Sequence, residues 1–225
     1  MLLSDSSILG VLLQDPCKPN FFTINIVGVH FRDFSRQAIP CCNGLFHHTN
    51  NPIKYLEIKM IIRNETMLDV KAISEITRAA FLTLPISNHT EQFIINELRN
   101  ANALTISLVA ELGGQVVGHI AFSPVTISDG SLNWHGLGPI SVLPEYQKQG
   151  IGKSLVNEGL SLLKNSGSTG CALVGDPAFY HRFGFRNNPT LIYKDIPQEY
   201  FLVLPFGDTI PQGTVVFHNA FLAQG

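Results

Sequence analysis

The stretch Leu137-Gly-Pro-Ile-Ser-Val-Leu-Pro-Glu-Tyr-Gln-Lys-Gln-Gly-Ile-Gly-Lys-Ser154 joins an apolar strand to a helix that opens on glycine. Its chemistry is anion binding. Gly150 and Gly152 let the backbone approach a ligand closely, and a first helical turn presents unpaired N–H groups beside the positive end of the helix dipole. A pyrophosphate matches that description, with Lys148 and Lys153 adding charge at the rim. Two common phosphate patterns fail on single positions. A Walker A loop has its end in Gly152-Lys153-Ser154, but Gln147 stands where its first glycine belongs. A dinucleotide fingerprint would need glycine where Leu155 stands.

Such a loop needs a strand before it and a helix and strand after it. Upstream, Leu104 to Glu111 and Val116 to Ser123 are rich in branched apolar residues and flank Gly113-Gly114, which predicts an antiparallel hairpin with a tight turn. Ser128-Asp129-Gly130 turns the chain into a strand at Leu137 to Val142. Downstream, Ile151, Leu155, Val156, Leu162 and Leu163 trace one stripe of a helix from Gly150 to Asn165, with Gly167 at the cap position. Cys171 to Val174 is short and wholly apolar, as in a central strand covered on both faces. Strand, helix and strand predict a parallel βαβ unit. Nearer the start, Ile61-Ile62-Arg63 reads as a strand and Thr66-Met-Leu-Asp69 as a capping box. Val70, Ile73, Ile76, Ala80 and Phe81 then share the buried face of a helix ending near Leu82. A second helix is predicted over Glu91 to Asn100, with Phe93, Ile94 and Leu98 inward. The segments around Tyr193, Phe201 to Leu204 and Val215 to Phe217 read as strands and loops closing the sheet.

Composition narrows the function classes. The chain has 225 residues, 45% of them hydrophobic and only 14% charged, against about 25% charged in typical soluble domains. Extensive disorder is excluded for most of it. Fifteen Lys and Arg against seventeen Asp and Glu give a net charge of -2, so no cation excess exists to displace counterions from a phosphate backbone, and nucleic acid is not the expected partner. No apolar run approaches the roughly 18 residues of a membrane span, and Met1 to Leu13 carries Asp5 but no Lys or Arg, unlike a secretory signal. The expected compartment is cytoplasmic. Residues 1–59, with Pro16, Pro19, Pro40 and Pro52 and no sustained periodicity, read as an irregular extension, poorly ordered or the product of an over-long start. One domain is expected over 60–225. Cysteines at 17, 41, 42 and 171 make no framework and are expected to be reduced. Cys41-Cys42 with His47-His48 lacks the spacing of a zinc site, so no metal is expected. Cys171 reads as a small buried hydrophobe, and Trp134 as either core or cleft lining.

What the loop does satisfy is Gln147-x-x-Gly150-x-Gly152, the [Gln/Arg]-x-x-Gly-x-[Gly/Ala] signature. It follows Val142-Leu-Pro-Glu-Tyr146 and precedes Tyr180-His-Arg-Phe-Gly184-Phe185. Together these resemble the GNAT acetyltransferase superfamily. The similarity is closest to a branch of bacterial predicted N-acetyltransferases, through Leu108-Val-Ala-Glu111, Val117-Gly-His-Ile120, Gly175-Asp-Pro177 and Tyr180 to Phe185. It covers Met60 to the C-terminus. The resemblance implies an α/β acyl-CoA N-acyltransferase fold, a mixed central sheet flanked by helices whose fourth and fifth strands splay apart to admit the pantetheine arm. It implies acetyl-CoA as co-substrate, held by Ile140, Ser141 and Val142 and by Gln147, Lys148, Gln149, Gly150, Ile151, Gly152, Lys153 and Ser154.

The implied reaction is direct attack of a primary amine on the thioester. Such an amine, with a pKa near about 10, must lose a proton first. A backbone N–H near Val142 could stabilise the oxyanion, and Tyr180 could protonate the departing thiolate. The position at which some members carry a catalytic glutamate corresponds to Gly136, so His119 and His135 are the candidate bases. Asp176-Pro177 departs from the asparagine common in the family and leaves the adenine-side contacts open. The acceptor could be an amine-bearing small molecule or a protein N-terminus, and a homodimer is among the assemblies left open. The competing expectation is a non-catalytic acyl-CoA-binding or sensory module.

Overall fold

The computed structural model describes residues 59–84, 87–194 and 196–224. Apart from Lys59, the expected extension lies outside the described residues, and so do Cys41, Cys42, His47 and His48. The first strand, β1 (Met60–Asn64), leads into a short turn at Met67–Asp69 and then α1 (Val70–Phe81). The Asp69 carboxylate accepts from the Thr66 N–H at 2.7 Å and from its hydroxyl at 2.9 Å, which fixes the helix entry. Next come α2 (Glu91–Asn100), β2 (Ile106–Leu112) and β3 (Gln115–Ile127). Gly113 and Gly114 make the hairpin at φ 58° and 85°, left-handed values that favour glycine. Then follow β4 (Trp134–Val142), α3 (Ile151–Asn165), β5 (Gly170–Val174) and one helical turn, α4 (Pro177–Tyr180). The chain closes with β6 (Leu191–Ile192), β7 (Phe201–Pro205) and β8 (Gly213–Phe217).

The central sheet runs β1-β2-β3-β4-β5-β7 and is antiparallel except where β4 meets β5. This is the expected mixed α/β architecture, including the parallel β4-α3-β5 unit. On one face, α3 packs through Leu155, Val156 and Leu163 against Leu108, Ile120, Phe122 and Leu137. Removing side chains of this kind from water contributes about 2 kcal/mol each. Gly159 on α3 is bare because the Phe122 ring occupies the space a Cβ would need. On the opposite face lie α1 and α2, whose Ile73 and Ile95 pack against Val109 of β2.

Three expectations shift, the first being that β4 begins at Trp134 rather than Leu137. Phe93 is exposed, and Ile95 takes the inward place beside Ile94 and Leu98. β3 runs four residues past Ser123, because Val125 to Ile127 pair with β8, a strand nearly ninety residues further along the chain. Trp134 is core: its ring covers Gly170 and packs with Phe201 and Phe217. Cys171 is buried and reduced, and burial pushes its thiol well above the ordinary range.

Candidate active site

β4 and β5 stay together for only three residue pairs, Trp134 to Gly136 against Gly170 to Ala172. Beyond Gly136 the strands part, and β4 continues alone for six residues to Val142. Its register against β3 shows why it bends: Ile120 faces Ile140 while Phe122 faces Leu137, so β4 carries one extra residue at Gly138-Pro139. Proline there has no N–H to give a ladder. The Leu143 N–H donates to Val117 O at 2.9 Å. Antiparallel alternation then turns the N–H and C=O of Ile140 and Val142 away from β3, into the gap that β5 has left. Ser141 faces the other way, with its Oγ 3.1 Å from Thr77 Oγ1 of α1.

The gap runs up to the opening of α3. Lys148 at φ 61° and Gly150 at φ 88° turn the chain sharply into the helix. The loop is braced by its own side chains: Gln147 Nε2 donates to Val142 O, and Gln149 Nε2 to Glu145 O, each at 3.0 Å. Ser154 N–H is the donor of the first helical bond, to Gly150 O at 3.0 Å. The N–H groups of Ile151, Gly152 and Lys153 precede that bond and have no helical acceptor. They stand at the positive end of a helix roughly 22 Å long. A Cβ on Gly152 would touch Phe179 at 3.7 Å and Ile140 and Val142 at 3.9 Å. Its absence therefore relieves no clash and keeps the mouth of the gap open. The ammonium groups of Lys148 and Lys153 are both solvent-exposed.

Across the gap, Asp176 accepts from the Ala178 N–H at 2.9 Å and starts the single turn of α4. That turn delivers Tyr180 into an aromatic cluster with Phe179, Phe183 and Phe185, ring centroids 4.9 to 6.4 Å apart. Gly175 must be glycine because the Tyr180 ring fills the place of its Cβ. Tyr180 is 7% exposed and its hydroxyl bonds to none of the described residues. Burial raises its phenol above the ordinary value, so it stays protonated.

The histidines lie elsewhere. His119, on β3 opposite Ser141, is fully buried and its Nε2 is 2.8 Å from Ser107 Oγ. Desolvation lowers its pKa, opposed by Glu65. His135 is half-buried, with Nδ1 3.1 Å from Ser168 Oγ, and burial lowers its pKa as well. Since Ser168 follows the C-terminal end of α3, His135 sits by the end of that helix opposite Gly150. At Gly136 a side chain has no room, because a Cβ would stand 2.5 Å from the Phe217 ring of β8.

A family model described as an acetyltransferase (GNAT) domain matches residues 104–187. The uncharacterized N-acetyltransferase YhbS of Escherichia coli K12 is 39% identical over 127 residues, 56% of this chain and 73% of that protein. The crystal structure of a GNAT family acetyltransferase from Brucella melitensis in complex with acetyl-CoA is similar at a TM-score of 0.65 and 48% identity, covering 72% of this chain and 98% of that one. This chain belongs to the GNAT acetyltransferase family. The structure of Escherichia coli YhbS in complex with CoA is also similar, with a TM-score of 0.69, 32% identity and coverage of 75% and 94%. The GNAT match contains the hairpin, the parted strands, the loop and Tyr180, whereas α1, α2, β7 and β8 lie outside it.

Residues outside the signature also shape this GNAT site. Phe179 stands over Gly152, and the Arg182 guanidinium lies 5.2 Å from its ring centroid. Phe217 fills the position beside Gly136. The first could be suspected from its neighbour Tyr180. The second has no local signal, because it is 81 positions from Gly136 in sequence. Among the described residues no helix is long and apolar enough to cross a membrane, and no cluster of His, Cys, Asp and Glu could hold a metal.

Proposed function

We propose that residues 60–225 form an acetyl-CoA-dependent N-acetyltransferase that passes the acetyl group to a primary amine by direct attack in a ternary complex. The observation that carries this reading is a coincidence of place. Unpaired N–H groups at the start of α3, outward-turned peptide groups of Ile140 and Val142 and the α4 turn that brings Phe179 beside Gly152 border one gap, and Tyr180 is the next residue of that turn. The acetyl-CoA and CoA complexes of the two similar proteins support it.

In this reading Gly150, Ile151, Gly152 and Lys153 hold the pyrophosphate through backbone N–H groups, and Lys148 and Lys153 add charge. Gln147, Gln149 and Ser154 brace the loop from within. The pantetheine arm lies between β4 and β5 and pairs with the outward-turned peptide groups of Ile140 and Val142, while Ser141 between them faces β3 and Thr77. The acceptor ammonium gives up a proton and its nitrogen attacks the thioester carbon. The Val142 N–H receives the charge that develops on the acetyl oxygen. As the carbon–sulfur bond breaks, Tyr180, which burial keeps protonated, donates its proton to the thiolate and is restored by a proton lost from the attacking nitrogen. His119 and His135 are the groups assigned to take the amine proton, through water. The acceptor is a small amine or a protein N-terminus, and no metal takes part.

Thiol release from acetyl-CoA across a panel of diamines, amino acid amides and short peptides tests the proposal. The expected result is amine-dependent release with stoichiometric amide formation. Tight binding of CoA with no amine acetylated would instead identify a non-catalytic acyl-CoA-binding module.

A further inference from the structure

Transfer of an acetyl group from a thioester to R–NH3+ breaks one C–S bond and forms one C–N bond. Of the three ammonium protons, one stays on the amide nitrogen, one goes to the thiol, and one must reach solvent. The parted strands provide for the first two. On the opposite face of the sheet there is a hydrogen-bonded chain suited to the third.

Glu65, just after β1, accepts from Arg99 of α2 at 2.8 and 2.9 Å and from the Ser107 hydroxyl at 2.6 Å. A serine hydroxyl has one proton, and here Glu65 takes it. Ser107 Oγ can therefore only accept from His119 Nε2, 2.8 Å away, which fixes the imidazole as its Nε2–H tautomer. The lone pair of Nδ1 is then a buried acceptor with no partner among the described residues. Further along β3, on the same face, Ser123 Oγ is also fully buried and unpartnered. Ser123 pairs with Gly136, next to the β4 bulge and the point where β4 leaves β5. Small Ala121 lies between the two. Orphan polar atoms this deep are costly unless something bonds them. At its other end the chain opens on a cavity of about 350 Å³ lined by Asn64, Glu65, Arg99, Asn102 and Ser107.

We infer that His119, Ser107 and Glu65 are the proton exit of the transferase reaction. His119 Nδ1 takes the ammonium proton through water held near Ser123. The Nε2 proton passes to Ser107 as Ser107's own proton passes to Glu65, which releases it at once to solvent in the cavity, and reorientation of the imidazole and of the Ser107 hydroxyl restores the starting tautomer before the next turnover. Glu65 faces His119 at 3.6 Å and, although burial alone would raise its pKa, its hydrogen bonds hold it down to about 2, so it rests as the anion that steadies a transient imidazolium. Arg99 is the other charged group acting on His119, and the residues of α1 buried on this face, Ile73, Ile76 and Thr77, are uncharged. Ser107 and Glu65 are thus positioning and relay residues that need not touch substrate.

This inference rests on the amine-acetylating reading, and its test separates the two. Thiol release by the full chain, with the best amine of the panel, would be followed from pH 6 to 10 for wild type, Ser107→Ala and Ser107→Thr. Ser107→Ala should lower kcat about tenfold at pH 7, with KM for acetyl-CoA unchanged. The deficit should close as pH nears 10 and the amine arrives unprotonated, and threonine should restore the wild-type profile. Imidazole ¹⁵N shifts should report a protonated Nε2 and a bare Nδ1 on His119 in wild type, and loss of that fixed tautomer in Ser107→Ala. A kcat profile for Ser107→Ala that superposes on wild type, or that is lowered equally at every pH, would overturn the relay and leave the transferase reading standing. Binding of CoA by a wild type that acetylates none of the amines would overturn both.

Discussion

The two faces of the central sheet are built from different materials. Toward α3 and α4 the interior is apolar and aromatic, with the Tyr180 hydroxyl buried in it. Toward α1 and α2 the same strands bury His119, Ser123 and Ser141, with Thr77 of the helix above and Glu65 and Arg99 at the margin. The switch is one residue wide: the Cα–Cβ direction of Gly118 points at Ile151 and Leu155 of α3, and its neighbour His119 points the other way. A transferase needs both kinds of wall. In the proposed reaction the coenzyme is held by shape and by backbone N–H groups, which an apolar wall leaves undisturbed. Protons need acceptors, which must be buried in pairs to be tolerated at all.

Breaking the polar face should cost the most. Arg99 and Glu65 are only 16% and 15% exposed at their side chains. Arg99→Leu would leave a carboxylate largely desolvated and unpaired, and urea denaturation should show a loss of roughly 3 kcal/mol. On the apolar face, Tyr180→Phe should leave folding and coenzyme affinity nearly intact while lowering kcat by about 10²-fold in steady-state assays. An unchanged kcat would remove the phenol from the reaction. Gly152→Val should weaken CoA about tenfold by calorimetry, because it fills the mouth of the gap and covers the N–H groups of the first turn. Its Tm should hardly move, since Phe179, Ile140 and Val142 stand back at 3.7 to 3.9 Å.

The pH dependence of stability sharpens the same contrast with a smaller effect. His119 titrates below 6.5 in the fold, so the unfolded chain takes up the proton first, and stability should fall by about 1 kcal/mol per unit as the pH drops below 6.5. Glu65 shifts the other way relative to its charge. It is held down to about 2 from 4.5, so its contribution is complete above 4.5 and is lost as the pH falls toward 2. His119→Gln should remove the first of these slopes in thermal unfolding and shrink the second without abolishing it, because Arg99 and Ser107 still bond Glu65.

What the sequence disclosed follows the range of the interactions involved. The bounds of α2, the Gly113-Gly114 hairpin and the α3 stripe are set by neighbours three or four residues apart, and they stand where the periodicity puts them. The loop from Gln147 to Lys153 is equally local, since its turn depends on Gly150 and its braces reach only four or five residues. Phe93 misled because periodicity alone could not choose between it and Ile95, and packing against Val109 chose Ile95. The β8 extension of β3, the Phe217 ring over Gly136 and the Glu65, Arg99, Ser107 and His119 chain all join segments far apart in sequence. No spacing rule reaches that far.

In the proposed function a nucleotide thioester binds with its pyrophosphate on the opening turn of α3 and its arm against the free edge of β4. Amide ¹H–¹⁵N shifts of the labelled protein during titration with CoA test this at atomic resolution. The largest movements should fall at Gly150 through Lys153, with a second set at Ile140 and Val142 and little change at Glu65 or Ser107. Saturable shifts confined to other residues, or none at millimolar CoA, would contradict it.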